Sequence, residues 1–406
     1  MQEPDRYIYR APFVVPVASP VIPDGAVITE QGRVKAVGRY VDLKDDADAE
    51  LVDYEGHVIV PALVNGHAHL ELSHLAALGR EPNSRPGDMP AWISSLLAAR
   101  AEATDSEDAA DAARYALARL YAGGCGAVID IGNQPESRAL GEGFKTRIFF
   151  YLELLGFARK SQEAALGRLE TLPPDLCCTA HAPYSTGATL LQALKERASR
   201  SNCLFPLHVA ESADEIELLR NSSGRFRDFL VGRGAWDGSF IPPGVGAVAY
   251  LDRLGLLDEQ TLCVHAVHVA EEEIVLLAER GAKVCLCPGS NRYMGVGKAP
   301  VAAMLAQGLR PCIGSDSLAS NPDLSLWQEM AMLRADHPSL PPADVLAMAT
   351  QNGARILGLE AELGAIAPGV SSSLLAVECA AAREGEVLEY LTSRGAAIRL
   401  EWIESP

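Results

Sequence analysis

Two histidines separated by one residue, His67 and His69, are the strongest candidates for chemistry in this sequence. Because side chains alternate along an extended strand, a His-x-His pair directs both imidazoles to the same side of the chain. His208 and Asp316 lie far along the chain and offer compatible ligand atoms. Three imidazole nitrogens and one carboxylate oxygen suit zinc or iron(II), with an added water as the nucleophile. We therefore predict that these four residues bind one divalent metal ion.

Three further polar residues complete the predicted centre. Glu211 follows His208 by three residues and could act as a general acid and base if its carboxyl group reaches the water. His265 is predicted to contact the water or the developing oxyanion. His181 stands where a carboxylated lysine could have bridged two metals, so the sequence favours one metal over two. A binding protein that only holds a metal would not need Glu211, which makes hydrolysis the preferred interpretation.

The elements that must position these residues alternate between short apolar runs and longer segments with helical spacing. Eight runs are predicted to be buried strands: 58–64, 126–131, 147–155, 176–180, 203–209, 261–267, 283–287 and 310–314. A last helix is predicted over 342–357. Eight buried strands alternating with helices predict an α/β fold, the (β/α)8 TIM barrel. The candidate side chains stand at strand ends, which meet at the carboxyl face of such a barrel.

Both ends of the sequence have the pattern of short strands interrupted by turns. In residues 1–60, prolines and turn signals keep the apolar pieces short, and residues 364–406 contain strand-like runs at 373–377 and 396–402. We expect residues 1–60 and 364–406 to form one small discontinuous β-sandwich domain beside a barrel of residues 61–363.

The composition excludes several classes of function. Acidic residues outnumber basic residues by 53 to 35, and the net charge of the 406-residue chain is −18. Nucleic acid is therefore not an expected partner. No apolar run approaches the ~20 residues of a membrane helix, and the start lacks the pattern of a signal peptide, so we expect a cytoplasmic protein without a membrane partner. The nine cysteines are predicted to be reduced and mostly buried.

Seven motifs together resemble the amidohydrolase superfamily, in its branch of mononuclear aminohydrolases and chlorohydrolases. They are PALVNGHAH (61–69), AHAPYST (180–186), HVAE (208–211), VHAVH (264–268), CPGSN (287–291), GSDSLASN (314–321) and ATQNGA (349–354). The resemblance covers nearly the whole chain. It implies the metal ligands named above and a β-sandwich from both termini. It also implies proton transfer by Glu211, polarisation of the water by His265 and Asp316, and a hydrogen bond from His181 to the substrate.

A narrower likeness, to aminodeoxyfutalosine deaminases of menaquinone biosynthesis, rests on three segments: HLELS (69–73), HAPYST (181–186) and GRFRDFL (224–230). It implies a 6-aminopurine nucleoside that carries a benzoate. Arg225, Arg227 or Arg292 could then pair with the benzoate carboxylate, as arginine commonly does.

We predict a metal-dependent hydrolytic deaminase that releases ammonia from a 6-aminopurine nucleoside, with aminodeoxyfutalosine as the first candidate. The alternatives are deamination of S-adenosylhomocysteine, adenosine or another nucleobase, or dechlorination by the same kind of site. The expected cofactor is one Zn²⁺, with Fe²⁺ as the alternative. The expected partner is a small-molecule substrate, and a homodimer stays open as the assembly. The predicted substrate contacts are Glu71, Trp92, His181 and Ser317. Glu71 is expected to face the ligands by strand alternation.

Overall fold

The computed structural model describes residues 6–403, apart from residues 47, 104–105 and 382. Within that part of the chain, the strands are β1 (Arg6–Val14), β2 (Ile22–Glu30), β3 (Arg33–Arg39), β4 (Glu50–Asp53), β5 (His57–Pro61), β6 (Leu63–Ala68), β7 (Cys125–Gly132), β8 (Arg147–Leu154), β9 (Cys178–Ala180), β10 (Phe205–Val209), β11 (Thr261–His265), β12 (Lys283–Leu286), β13 (Cys312–Ile313), β14 (Leu374–Glu378) and β15 (Leu400–Ile403).

The α-helices of the described residues are α1 (Tyr40–Leu43), α2 (Ala76–Arg80), α3 (Met89–Glu102), α4 (Ser106–Ala122), α5 (Arg159–Thr171), α6 (Ala188–Arg200), α7 (Ala213–Asn221), α8 (Arg225–Gly232), α9 (Ala247–Arg253), α10 (Glu271–Arg280), α11 (Pro288–Met294), α12 (Val301–Ala306), α13 (Leu326–Asp336), α14 (Pro342–Met348), α15 (Gln351–Ile356) and α16 (Glu384–Ser393). Short 3-10 helices lie at Leu70–Leu75, Pro135–Gly141 and Gly395–Ala397. None of these helices is long and apolar enough to cross a membrane.

Eight parallel strands form the barrel, as two ladders of four that meet at two seams. One ladder runs from β6 to β9 and the other from β10 to β13. At the first seam the N–H of His208 donates to the carbonyl of His181 at 2.9 Å. At the second seam the N–H of Asp316 donates to the carbonyl of His67 at 3.0 Å. The predicted α/β barrel fold is confirmed.

Strands from both ends of the chain form a separate sheet of seven strands. Its order is β15-β14-β5-β1-β2-β3, and β4 pairs with β1. Apolar side chains cover both of its faces, with Tyr9 and Val27 in one cluster and Ile8 and Ile28 in another. The expected joining of the two ends is therefore confirmed, whereas the domain boundaries after residues 60 and 363 stay predictions.

Two of the strand and helix predictions need correction. The apolar run 58–64 is not one barrel strand: β5 pairs with β14 in the terminal sheet, and only β6 enters the barrel. The run is continuous because both strands are buried. The single helix predicted over 342–357 is two helices, α14 and α15, which are separated at Ala349 and Thr350.

The expectation that all cysteines are reduced is wrong for one pair. Cys177 and Cys203 form a disulfide. They lie just before the neighbouring strands β9 and β10, within two residues of the start of each, and their Cα atoms are 6.0 Å apart, a separation that suits a disulfide. The sequence did not reveal this pairing because the two cysteines lie 26 positions apart. The other described cysteines are free, and most of them are buried.

Candidate active site

The four predicted metal ligands come together at the carboxyl ends of the barrel strands. Ligand atoms of His67, His69 and His208 all lie within 4.8 Å of one another. The Oδ1 atom of Asp316 lies 3.6 Å from the Nε2 atom of His67 and 3.7 Å from that of His69. All four residues are buried or nearly so. Residues that are up to 249 positions apart in sequence thus meet because each one ends or follows a strand.

The hydrogen bonds of two rings show that this cluster fits a cation. The Nδ1 atom of His69 donates to the carbonyl of Ile131, and that of His208 donates to the carbonyl of His181, both at 2.9 Å. Since a carbonyl only accepts, each neutral ring keeps a bare lone pair on Nε2, and these two Nε2 atoms face each other at 3.3 Å. Two lone pairs at that distance repel unless a proton or a metal ion lies between them. Metal-ligating histidines typically have this arrangement.

The remaining ring strengthens that conclusion. Both nitrogens of His67 are buried and have no hydrogen-bond partner. Burial lowers the pKa of His67 to about 4 and lowers that of His208 well below its usual value, so both rings stay neutral, as ligation requires. Burial raises the pKa of Asp316, but the neighbouring His67 outweighs it and holds that pKa well below its ordinary value. At His69, burial lowers the pKa, but the nearby carboxylates, Asp316 first, outweigh it and raise the pKa above its ordinary value, so His69 must give up a proton to bind a metal. The cluster can therefore offer three nitrogens and one carboxylate to a metal.

Glu211 and His265 form a pair beside this cluster. The Oε1 atom of Glu211 lies 3.5 Å from the Nε2 atom of His265, and both side chains are buried. The Nδ1 atom of His265 donates to the side-chain oxygen of Asn291 at 2.9 Å, which leaves its Nε2 atom free to accept a hydrogen bond. Burial raises the pKa of Glu211. A carboxyl group whose pKa is raised is better matched to proton transfer near neutral pH.

The backbone under these side chains adopts a conformation that is uncommon for residues other than glycine. The φ angles are +53° at Ala210, +72° at His265, +47° at Ala266 and +57° at Asp316. Positive φ values at non-glycine residues are unfavourable and often occur at active sites. Here they occur at the end of β11, directly after β10 and three residues after β13.

A cavity of about 400 Å³ opens above the cluster. All four predicted substrate contacts line it: Glu71, Trp92, His181 and Ser317. Apolar side chains also line it, among them Met89, Phe157, Tyr184, Phe226 and Phe229. The cavity therefore combines the polar groups of the cluster with many apolar side chains, which is typical of a pocket for a small molecule.

Glu71 lies on this cavity for a different reason than strand alternation. The chain leaves the extended conformation after His69, and Glu71 is part of the 3-10 helix Leu70–Leu75. Both carboxylate oxygens of Glu71 are already engaged, one by Arg100 at 3.1 Å and the other by the N–H of Asn133 at 2.7 Å.

The three arginines that were candidates for a substrate carboxylate lie elsewhere. Arg225 binds Asp214 and Arg292 binds Asp336, at 2.8 and 2.9 Å, and Arg227 lies over the ring of Trp236. None of these three lines the cavity, whereas Arg100 and Arg233 do. The sequence could not separate these cases, because arginines occur on many of the helices that follow barrel strands.

Glu153 is a buried cavity residue that the sequence reasoning missed. It is the penultimate residue of β8, its Oε2 atom accepts a hydrogen bond from Asn133 at 3.0 Å, and its Oε1 atom has no partner. The signal was present, since a carboxylate near the end of an apolar run follows the same rule as the histidines. Glu153, His181 and His208 also bring ligand atoms within 4.8 Å of one another. With Nδ1 of His208 bound to a carbonyl, both groups would depend on the same Nε2 atom, which agrees with a single ion.

Comparison with known proteins agrees with this geometry. The model of the amidohydrolase family matches residues 58–392. The chain is 30% identical over 395 residues to a 5-methylthioadenosine/S-adenosylhomocysteine deaminase of Desulforudis audaxviator, covering 90% of this chain and 83% of the relative.

Solved structures show the same fold. Helicobacter pylori aminofutalosine deaminase in complex with methylthio-coformycin has a TM-score of 0.81 and 23% identity, with 95% of this chain and 96% of that chain covered. A Xanthomonas campestris adenosine deaminase with bound zinc has a TM-score of 0.75 and 24% identity, with 95% and 88% covered. The chain belongs to the amidohydrolase family and is a hydrolase that acts on carbon–nitrogen bonds other than peptide bonds.

Proposed function

We propose that this protein is a metal-dependent deaminase that hydrolyses the 6-amino group of a purine nucleoside and releases ammonia. The observation that carries the proposal is the position of Glu211 and His265, 3.5 Å apart, beside three imidazoles with unshared lone pairs. A protein that only bound a nucleoside would not need a buried acid with a raised pKa next to a metal cluster. The deaminase names of relatives support the choice of an adenosine-type substrate.

We propose Zn²⁺ as the ion, with Fe²⁺ as the alternative, held by four side chains: His67, His69, His208 and Asp316. When bound, a divalent cation polarises water and lowers its pKa, so that a nucleophile is available at neutral pH. The zinc in the Xanthomonas campestris structure supports this choice.

The residues of the chain then manage the protons. Glu211 takes a proton from the attacking water and passes it to N1 of the purine, while His265 and Asp316 hold the attacking oxygen against C6. As the new C–O bond forms at C6, the double bond between C6 and N1 becomes a single bond and the ring stays intact. The bond between C6 and the amino nitrogen then breaks. Glu211 carries the second proton to the leaving nitrogen, which departs as ammonia. Water and the aminopurine thus yield a 6-oxopurine and ammonia, with all atoms balanced.

We assign the substrate contacts by their place in the cavity. His181 is proposed to hydrogen-bond the purine, since its Nδ1 atom is held by the hydroxyl of Ser185 at 2.6 Å and its other nitrogen stays available. Trp92 is proposed to form part of the apolar wall, with Ser317 on the floor of the cavity. Glu71 is proposed to act through Arg100, to which it is bound.

The first candidate substrate is aminodeoxyfutalosine, an intermediate of menaquinone biosynthesis. Its bulky 5′ substituent would pack against the apolar side chains of the cavity. The nucleosides 5′-methylthioadenosine, S-adenosylhomocysteine, 5′-deoxyadenosine and adenosine are the alternatives, and they share the group that reacts.

Ammonia release by the zinc-loaded enzyme tests this proposal. We expect kcat/KM to be highest for aminodeoxyfutalosine among the five nucleosides. A higher kcat/KM for another nucleoside would change the assigned substrate but would leave the proposed reaction unchanged. No ammonia from any 6-aminopurine nucleoside, with metal shown to be bound, would refute the proposed reaction.

A further inference from the structure

A second buried glutamate, Glu215, holds the backbone that carries Glu211. Glu215 is the third residue of α7 and is completely buried. One of its carboxylate oxygens accepts the N–H of Ala210 at 3.1 Å, and the other accepts the N–H of Glu211 at 2.9 Å. Glu215 is not among the residues that line the cavity. Both of its carboxylate oxygens thus bind backbone N–H groups of the short segment between β10 and α7.

That segment has a backbone conformation that needs support. Ala210 has a φ angle of +53°, in the region that side chains with a Cβ atom rarely adopt. Such a conformation persists only where the surrounding structure stabilises it. The two N–H groups bound by Glu215 lie at Ala210 and at the next residue, Glu211, so the carboxylate fixes the peptide planes on both sides of the strained position.

The same segment also supports His265. The carbonyl of Ala210 accepts the N–H of Val267 at 3.0 Å and that of His268 at 2.8 Å. These donors follow the turn in which His265 and Ala266 both have positive φ angles. The backbone held by Glu215 is therefore bonded directly to the backbone that directs His265 toward Glu211.

We infer that Glu215 is a positioning residue for proton transfer, an inference that rests on the proposed function. Glu215 touches neither the cavity nor the reacting atoms, and it acts by fixing the direction of Glu211. A glutamate at the third position of a helix commonly accepts the N–H of the residue just before the helix. Here the carboxylate reaches past that residue, Ser212, whose own hydroxyl accepts the N–H of Glu215 at 3.3 Å.

Glu273 provides a matched control within the same barrel. It is also the third residue of its helix, α10, and only 6% of its surface is exposed. Its carboxylate accepts the N–H groups of Ala249 and Ala270, both at 3.0 Å. Like Glu215, Glu273 therefore accepts two backbone N–H groups, one on each carboxylate oxygen. These hydrogen bonds hold the starts of α9 and α10 and none of the proposed catalytic residues.

The test compares Glu215→Gln with Glu273→Gln in the full-length, zinc-loaded protein. A glutamine places an amide nitrogen where one carboxylate oxygen was, so one backbone N–H then faces another N–H. We expect kcat for ammonia release to fall about 10- to 100-fold in E215Q, because small displacements of a reacting group have effects of that size. We expect KM and metal content to stay at the wild-type values, and E273Q to keep the wild-type kcat. A kcat of E215Q within twofold of that of E273Q would overturn the inference.

A double-mutant cycle gives a readout that a merely structural role would not move. If Glu215 acts by positioning Glu211, replacing Glu215 should lower kcat less when Glu211 has already been replaced by glutamine. We expect the fold-loss caused by E215Q to be at least about fivefold smaller in the E211Q background than in the wild type. An equal fold-loss in both backgrounds would overturn the inference.

The outcomes also separate this inference from the proposed function. Wild-type kcat in E211Q would refute the proposed role of Glu211, and the inference with it. A large loss in E211Q with no specific loss in E215Q would refute only the inference. If E215Q does not fold, Glu215→Asp keeps the carboxyl group but shortens the side chain by one methylene. A lowered kcat in E215D would then support the positioning role, and a wild-type kcat would overturn it.

Discussion

Replacement of Glu211 by glutamine is the perturbation that most directly tests the assignment of the proton-transfer group. Glutamine has the same shape, and only 7% of the Glu211 surface is exposed, so the substitution opens no cavity. Burial already disfavours the charged form of this carboxyl group and raises its pKa, so a neutral amide should not destabilise the fold. The variant should therefore differ from the wild type in its chemistry and not in its structure.

The magnitude follows from the role of the carboxyl group. General acid–base catalysis contributes about 10²- to 10⁴-fold, which corresponds to about 2.7 to 5.4 kcal/mol at 1.36 kcal/mol per factor of ten. An amide cannot accept and return the proton, so we expect kcat of Glu211→Gln to fall by that factor. The metal cluster does not include Glu211, so zinc content should be unchanged.

The assay is ammonia release at saturating nucleoside, with zinc content and melting temperature measured on the same samples. The reasoning would be refuted if E211Q kept more than about one tenth of the wild-type kcat with full zinc occupancy. A loss of less than about tenfold is smaller than the contribution expected of a general acid–base catalyst. A loss of activity together with a loss of zinc would show that Glu211 belongs to the metal shell.

Three further predictions follow from the site. Burial raises the pKa of Glu211 above 4.5; because the ionised form must accept the proton, kcat/KM should fall as the pH drops through an inflection above pH 4.5, and an inflection at or below 4.5 would contradict this. A chelator should abolish turnover and lower the melting temperature of the wild type. Added Zn²⁺ should restore both, with a gain in stability of about 2.7 kcal/mol at 100 times Kd. It should not do so in His69→Ala, and equal restoration in that variant would show that His69 is not a ligand. Trp92→Ala should raise KM for nucleosides with large 5′ substituents more than for adenosine, with little change in kcat; equal changes in KM would place Trp92 outside the wall that contacts the substituent.

The barrel and its metal cluster were largely predictable because both depend on strand ends. Apolar runs mark buried strands, and parallel barrel strands bring their carboxyl ends to one face. A histidine or aspartate at or just after such an end, such as His208 or Asp316, can therefore be predicted to lie at the carboxyl face of the barrel. The same rule applied to Glu153 would have placed that carboxylate in the cavity.

Other parts depend on interactions that no local pattern encodes. The function of Glu215 depends on a positive φ angle at Ala210, an alanine that gives no sequence signal of it. The pairing of Cys177 with Cys203 depends on the alignment of two neighbouring strands. The partners of Arg225, Arg227 and Arg292 depend on how each helix rotates about its axis, which apolar spacing fixes only roughly.

The two seams of the barrel pass through the candidate active site. The carbonyls of His67 and His181 accept the bonds that join the two ladders, and the donors belong to Asp316 and His208. Each ladder contributes two of the four predicted ligands: His67 and His69 come from one ladder, and His208 and Asp316 from the other. An ion held by all four side chains would therefore connect the two halves of the barrel. Metal uptake during refolding would accordingly report the moment at which the two halves of the barrel join.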